Sequence, residues 1–112
     1  MAAHVQDYEK ICVVIPSADL AGDESRSVRD AVSETVEHRQ LIDFIIDLTN
    51  VGFIDSAGLE TLLWIKRKTD ELFGQVKLIN LDANVRKILE ITRLEPRFEM
   101  HPDLATALKM MR

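Results

Sequence analysis

The residues best suited to chemistry are an acid, a hydroxyl and two small residues in a row, Asp55-Ser56-Ala57-Gly58. They follow an apolar run and precede a segment with helical spacing, which indicates a strand-to-helix junction. A helix start leaves about four backbone N–H groups without partners and carries the positive end of the helix dipole, so an anion placed there is stabilised. We predict that Asp55 caps the helix and that Ser56, at the first helical position, points its hydroxyl outward. Ala57 and Gly58 add little bulk, which would let another protein come close.

The same residues are also typical of ordinary helix capping. The reciprocal capping box is incomplete, because Leu59 stands three residues after Ser56 and Glu60 comes one position later. The four residues alone therefore leave two interpretations open, a plain cap and a site of modification or docking.

Strand and helix patterns alternate around this junction. β-Branched and apolar runs predict strands at 5–9, 11–15, 44–48, 76–79 and 97–99. Apolar residues at helical spacing predict helices at 23–38, 56–73, 83–92 and 104–111, with Asp82 capping the third and Gly74 in the left-handed position after the second. The strands on either side of the second helix should be parallel. The order predicts an α/β fold in one domain, residues 1–112, with a mixed sheet of four to five strands and about four helices.

Composition and charge exclude several classes of function. The formal net charge is −5, which argues against nucleic-acid binding, because that binding neutralises phosphates with Lys and Arg. The longest apolar runs are about five residues, against about 20 for a membrane span, and the amino terminus lacks a signal-peptide core. We therefore expect a cytoplasmic protein without direct membrane insertion. Cys12 is the single cysteine, and within its apolar run it is expected to be a small buried hydrophobe.

No pattern of catalytic residues is present. The histidines, His4, His38 and His101, are scattered and lack metal-ligand spacing with the single cysteine. The G-x-S-x-G elbow and the phosphate-cradling G-x-x-x-x-G-K motif are absent, and Pro16-Ser17-Ala18 replaces the acidic pair of a receiver domain. We expect a protein that is not an enzyme and that takes no metal or cofactor.

The segment from Leu48 to Leu59, between a strand and an amphipathic helix, resembles the STAS domain of bacterial anti-sigma factor antagonists. In that family an apolar strand ends in Asp-Leu, and a few residues later come Asp-Ser or Asp-Thr, a small residue and Gly-Leu. Residues 76–79 and 84–89 are similar to the family's later strand and helix, so the resemblance covers nearly the whole chain.

The resemblance implies a protein-binding switch. Ser56 corresponds to the residue phosphorylated by a kinase-type anti-sigma factor with a histidine-kinase-like ATPase fold, and Asp55, Ala57 and Gly58 support that site. A serine phosphatase reverses the modification. The unphosphorylated antagonist sequesters the anti-sigma factor, and phosphorylation releases it, which is partner switching in transcription regulation and signal transduction. Glu60, on the same helix, is expected to contact the partner.

One loop departs from the family pattern. The family has Gly, an acid, Leu and Asp before its first helix, where this chain has Ala18-Asp19-Leu20-Ala21. Asp19 is retained and is expected to contact the partner, but Ala18 and Ala21 replace the Gly and the second Asp. A constitutive STAS scaffold or regulatory subunit, stress-sensing or transporter-associated and without phosphorylation control, is therefore the alternative function.

Trp64 is expected on the side of the second helix opposite its apolar half, at about 100° per residue. That apolar half carries Leu59, Leu62, Leu63, Ile65, Leu72 and Phe73. Trp is enriched among residues that dominate interface energies, so Trp64 is a candidate for the docking surface with Ser56. The alternative is that Trp64 packs under a neighbouring helix of its own domain.

Overall fold

The protein folds into a five-stranded sheet with four α-helices, as seen in a computed structural model that describes residues 2–111. The chain runs through β1 (His4–Tyr8), β2 (Ile11–Ile15), α1 (Asp23–Arg39), β3 (Asp43–Asp47), α2 (Ser56–Glu71), β4 (Gln75–Ile79), α3 (Ala83–Ile91), a short 3-10 helix (Glu95–Arg97), β5 (Glu99–His101) and α4 (Leu104–Met110). The predicted order of elements and the α/β fold class are confirmed.

The strands lie in the sheet in the order of the sequence. β1 and β2 form an antiparallel hairpin, and β2, β3, β4 and β5 are parallel neighbours. The strands on either side of α2 are therefore parallel, as predicted. Since parallel strands end at one edge of a sheet, the loops 16–22, 48–55 and 80–82 all leave the same edge.

Side chains that alternate along the strands divide the core into two clusters. The larger cluster joins one face of the sheet to α1, α2 and α3, and includes Phe44, Ile46, Val32, Leu62 and Leu89. The smaller cluster joins the other face to α4 through Val13, Ile45, Ile79 and Ala107. None of the helices within residues 2–111 combines the length and the apolar character that a transmembrane helix requires.

Cys12 is fully buried in the larger cluster, as predicted. Its Sγ lies 3.8 Å from the Thr35 hydroxyl. Burial raises the pKa of the Cys12 thiol, which keeps it in the protonated, unreactive form.

The end of α2 differs from the prediction. Phe73, and not Gly74, takes the left-handed conformation, with φ of 62°, and its ring is 93% exposed instead of packing with the apolar half of the helix. Gly74 is needed for space, because a Cβ there would stand 2.0 Å from the Ile42 carbonyl oxygen. The close contact with Ile42, 32 residues earlier in the chain, thus requires glycine at position 74. The left-handed turn conformation is then taken by Phe73.

Candidate functional site

The start of α2 has the predicted capping geometry. Asp55 is the N-cap in an extended conformation, and its Oδ1 accepts a hydrogen bond from the Gly58 N–H at 2.8 Å. Ser56 is the first residue of the helix and is exposed. Among residues 2–111, no hydrogen bond involves the Ser56 hydroxyl. The junction therefore holds a free hydroxyl, beside a carboxylate, at the positive end of a 16-residue helix.

The two small residues after Ser56 have different surroundings. Ala57 is exposed, but Gly58 is buried, and a Cβ at position 58 would stand 2.1 Å from the Leu20 carbonyl oxygen. The expectation that Gly58 leaves room for another protein is wrong, because that room is filled by the loop 16–22 of the same domain. Gly58 supports the site from within, by this close contact and by its N–H donated to Asp55.

The loop 16–22 is tied to the segment that leads into α2. The Leu20 N–H donates to the Phe53 carbonyl at 3.0 Å, and the Asp55 N–H donates to the Leu20 carbonyl at 3.3 Å. Leu20 and Ile54 form an isolated parallel bridge and are both buried. This pairing brings Asp19, which is exposed, to the same edge of the sheet as Ser56.

Asp19 also binds the main chain before α2. Its Oδ1 accepts a hydrogen bond from the Gly52 N–H at 2.8 Å, and on the other side of that residue Asn84 Nδ2 donates to the Gly52 carbonyl at 2.7 Å. Sequence reasoning missed Asn84. The available signal was its position just inside α3, since β3 and β4 are parallel and the loop after each leaves the same edge of the sheet.

Ala18 and Ala21 differ from the family pattern, and the loop 16–22 that contains them is held by hydrogen bonds of other residues. The buried Glu24 carboxylate accepts hydrogen bonds from the Ser17 N–H at 2.6 Å and from the Ser17 hydroxyl at 3.1 Å. Gly22, with φ of 54°, is the N-cap of α1 and makes no side-chain cap. The loop therefore keeps its shape through Ser17 and Glu24.

Glu60 and Trp64 follow Ser56 at intervals of four residues along α2, so the three lie on one side of the helix. Glu60 is exposed. Trp64 is half-buried against the larger core cluster, and the Arg29 guanidinium of α1 lies 4.9 Å from its ring centroid. The structure thus shows the intramolecular packing of Trp64 against a neighbouring helix, and its docking role stays a prediction.

Phe53 is a further exposed residue that sequence reasoning missed. Its side chain is 48% exposed, three residues before Ser56. Asp19, Asp55 and Glu60 place carboxylates around the same end of α2. The arrangement suits contact with another protein, because it combines an exposed aromatic side chain, a free hydroxyl and several carboxylates.

The chain is similar to known proteins over nearly its whole length. One curated relative is the Anti-sigma F factor antagonist of Paenibacillus polymyxa, 21% identical over 110 residues that cover 96% of this chain and 94% of the relative. The Bacillus cell fate determinant SpoIIAA in its phosphorylated form has the same fold, with a TM-score of 0.76, 19% identity, and coverage of 99% of this chain and 100% of that chain. The murine anion transporter Slc26a9 also contains this fold, with a TM-score of 0.76 and 19% identity over 95% of this chain and 18% of the transporter.

The sequence model of the STAS domain matches residues 2–107, which is nearly the whole of the chain. The Asp-Ser-Ala-Gly-Leu junction and the mixed sheet that carries it lie within that match. The chain belongs to the STAS domain family.

Proposed function

We propose that the protein is an anti-sigma factor antagonist that works as a phosphorylation-controlled binding switch and not as an enzyme. Its partners are a kinase-type anti-sigma factor with a histidine-kinase-like ATPase fold and a serine phosphatase, and it acts in the cytoplasm. The observation that carries this proposal is the exposed Ser56 hydroxyl, free of hydrogen bonds within residues 2–111, at the start of α2 beside Asp55.

The fold tolerates a phosphate at this position. Phosphorylation adds about 1.5 to 2 negative charges at pH 7, and the amino-terminal end of a helix stabilises such a group by about 0.3–2 kcal/mol. Ser56 is exposed, so the added group meets solvent and displaces no core residue. The effect of phosphorylation is therefore expected in the complex and not in the folding of the domain.

Phosphorylation is expected to weaken the complex, because docking would remove water from the phosphate beside other negative charges. Asp55 is adjacent to Ser56, and the loop that carries Asp19 is bonded to Asp55 through Leu20. Burying a charge without a cationic partner costs several kcal/mol, and about 1.4 kcal/mol changes an affinity tenfold. Release of the partner on phosphorylation then needs no change of conformation in the antagonist.

The docking surface in this proposal is the side of α2 that carries Ser56, Glu60 and Trp64, together with Asp19. The i, i+4, i+8 spacing aligns the first three, and the hydrogen bonds of Leu20 hold the Asp19 loop beside the helix start. The general role of an anti-sigma factor antagonist is supported by the relative in Paenibacillus, which bears that name, and by the fold shared with SpoIIAA.

The test is to incubate the protein with the histidine-kinase-like ATPase encoded nearest to it, with Mg-ATP, and to locate phosphate by mass spectrometry. We expect one phosphate on Ser56, absent in Ser56→Ala and retained in Ser33→Ala, which changes a half-buried serine of α1. An active kinase that leaves Ser56 unmodified while it binds the protein tightly would refute phosphorylation control.

The second candidate function is a constitutive scaffold or transporter-associated subunit in which Ser56 is only part of a cap. It is favoured by Ala18 and Ala21, at positions where the family has Gly and Asp, and by the same fold within Slc26a9. A complex with the same affinity with and without ATP, and with Ser56→Asp in place of the native residue, would support it.

A further inference from the structure

We propose that Asp19 and Asn84 are positioning residues that hold Gly52 from both sides and so fix the backbone that presents Ser56. This pair of hydrogen bonds is called the Gly52 clamp. The inference rests on the proposed function for its consequence, which is the rate of Ser56 phosphorylation, but the clamp itself is testable without any partner.

The clamp joins three separate parts of the chain. Asp19 lies before α1 and accepts the Gly52 N–H at 2.8 Å, while Asn84 lies at the second position of α3 and donates to the Gly52 carbonyl at 2.7 Å. The start of α3 is itself fixed, because Asp82 accepts the Val85 N–H at 2.8 Å. The peptide units on the two sides of Gly52 are thus each held by one side chain, Asp19 from the loop 16–22 and Asn84 from α3.

The clamp complements the contacts that hold the inner side of the loop 48–55. Val51 and Ile54, on either side of the pair Gly52 and Phe53, are each 2% exposed and belong to the larger core cluster. Gly52 is half-buried, and Phe53 is exposed. Apolar packing holds the inward residues of this loop but restrains rotation of the outward peptide groups poorly, because the hydrophobic effect is not directional. Hydrogen bonds are directional and supply that restraint.

The position of Ser56 follows from the position of Gly52. Three residues lie between them, and the last of these, Asp55, donates its N–H to the Leu20 carbonyl at 3.3 Å, next to the clamp residue Asp19. A reacting hydroxyl must be held close to its ideal geometry, and a misplacement of about 1 Å can cost about a hundredfold in rate. The clamp is therefore expected to act on the catalytic rate of the kinase more than on the stability of the domain, since both of its side chains are exposed.

Substitutions at Asn84 separate the hydrogen bond from the shape of the side chain. Asn84→Ala removes the donor, and Asn84→Asp keeps the shape but turns a carboxylate oxygen toward the Gly52 carbonyl. Gly52→Ala is the matched control. It keeps both backbone groups, and its Cβ would meet nothing closer than the Asp19 carboxylate at 3.6 Å and the Asp82 carboxylate at 3.8 Å. Lys87→Ala, an exposed change elsewhere on α3, controls for effects on that helix.

Amide hydrogen exchange by NMR tests the clamp in the protein alone. We expect exchange of the Gly52 and Asp55 amides, which donate to the Asp19 carboxylate and the Leu20 carbonyl, to be about fivefold faster in Asn84→Ala, Asn84→Asp and Asp19→Ala. Their exchange should be unchanged within about twofold in Gly52→Ala and Lys87→Ala. Thermal unfolding of each variant shows that it is folded. Folded Asn84 variants whose Gly52 and Asp55 amides exchange as in the native protein would overturn the proposal.

Steady-state phosphorylation by the histidine-kinase-like ATPase tests the consequence for Ser56. We expect kcat for both Asn84 variants to fall about fivefold while KM stays within about twofold, because Asn84 acts through Gly52. A change in KM alone would assign Asn84 to docking and overturn its positioning role. If the native protein is not phosphorylated on Ser56, the proposed function fails, and the exchange measurement still decides the clamp.

Discussion

Gly58 packs directly on the main chain of Leu20, so closely that a Cβ on residue 58 would stand 2.1 Å from the Leu20 carbonyl oxygen. Helix propensity favours Ala over Gly by up to about 1 kcal/mol within a helix, so propensity alone predicts that Gly58→Ala stabilises the protein. The contact reverses the sign, because the atom in the way is backbone and the loop 16–22 is itself bonded to Phe53 and Asp55.

We therefore expect Gly58→Ala to lower the free energy of unfolding by about 1–3 kcal/mol, the usual cost of overpacking. Urea denaturation followed by far-UV circular dichroism measures it. Gly52→Ala, where the nearest atom is 3.6 Å away, should change the same quantity by less than about 0.5 kcal/mol. Equal effects at both positions would mean that the close contact with Leu20 is not what requires glycine.

The cap at Asp55 gives a second prediction. Asp55→Ala removes the acceptor of the Gly58 N–H and should lower the free energy of unfolding by about 0.5–2 kcal/mol. Asp55→Asn keeps a capping oxygen and should lose less than half of that amount. Thermal and urea unfolding of the two variants provide the measurement. If Asp55→Asn lowers the free energy of unfolding as much as Asp55→Ala, the charge of Asp55 matters more than its hydrogen bond.

Ser56 variants separate folding from docking. Ser56→Asp places a carboxylate at the helix start and should leave unfolding unchanged or raise its free energy by about 0.3–1 kcal/mol. The affinity for the anti-sigma factor should fall at least about tenfold in Ser56→Asp and stay within about threefold in Ser56→Ala. Isothermal titration calorimetry measures both affinities. A Ser56→Asp protein that binds as tightly as the native one would contradict release by charge.

Variants of Trp64 in α2 and Arg29 in α1 distinguish a role of Trp64 in packing within the domain from a role in docking to a partner. Arg29→Ala removes the cation above the indole ring and should lower the free energy of unfolding by about 0.5–1 kcal/mol, with a shift in tryptophan fluorescence. Trp64→Ala should lower both stability and partner affinity if its exposed edge contacts the partner. Unchanged affinity in a folded Trp64→Ala protein would leave Trp64 with the packing role alone.

The ion pair between the buried Lys77 and Glu99 makes part of the free energy of unfolding depend on pH. Its side chain is 4% exposed and pairs with Glu99 on the neighbouring strand, where His101 also contacts the carboxylate at 3.1 Å. The hydrogen bond from Lys77, followed by that from His101, lowers the pKa of Glu99 below its ordinary value of 4.5. A lowered folded-state pKa means that this contribution is present above pH 4.5 and is lost as the pH falls through the folded value.

We expect Glu99→Gln to lower the free energy of unfolding at neutral pH by about 0.5–1.5 kcal/mol, because it leaves the buried Lys77 ammonium without its counter-charge, while solvent screens the pair on the side of Glu99, which is 57% exposed. The difference from the native protein should shrink as the pH falls below 4.5 and through the lowered pKa of Glu99. Urea unfolding across this pH range measures it, and Lys77→Met combined with Glu99→Gln should recover much of the loss at neutral pH. A difference that is independent of pH would exclude the ion pair as its source.

Several local features of the chain could be predicted from the sequence without knowledge of the fold. The Asp55 cap, the exposed Ser56 and the buried strand that precedes them depend on residues within about one helical turn of each other or on simple alternation, and these patterns do not need tertiary contacts. The order of strands and helices, and the parallel pairing around α2, follow from the same patterns and from the rules of βαβ connections.

By itself, then, the sequence determined the order of strands and α-helices, the class of sheet and the presence of a free hydroxyl at the start of a helix, while the last strand, expected at 97–99, lies at Glu99–His101 after a short 3-10 helix. The tertiary structure decided which atoms stand around that hydroxyl: the Leu20 carbonyl that requires Gly58, the Asn84 amide that reaches Gly52, and the Arg29 guanidinium that covers Trp64. Each of these contacts joins residues more than 30 positions apart, and the approach of two distant backbones to within a few ångströms depends on how the whole core packs. No short-range pattern in the chain records that packing.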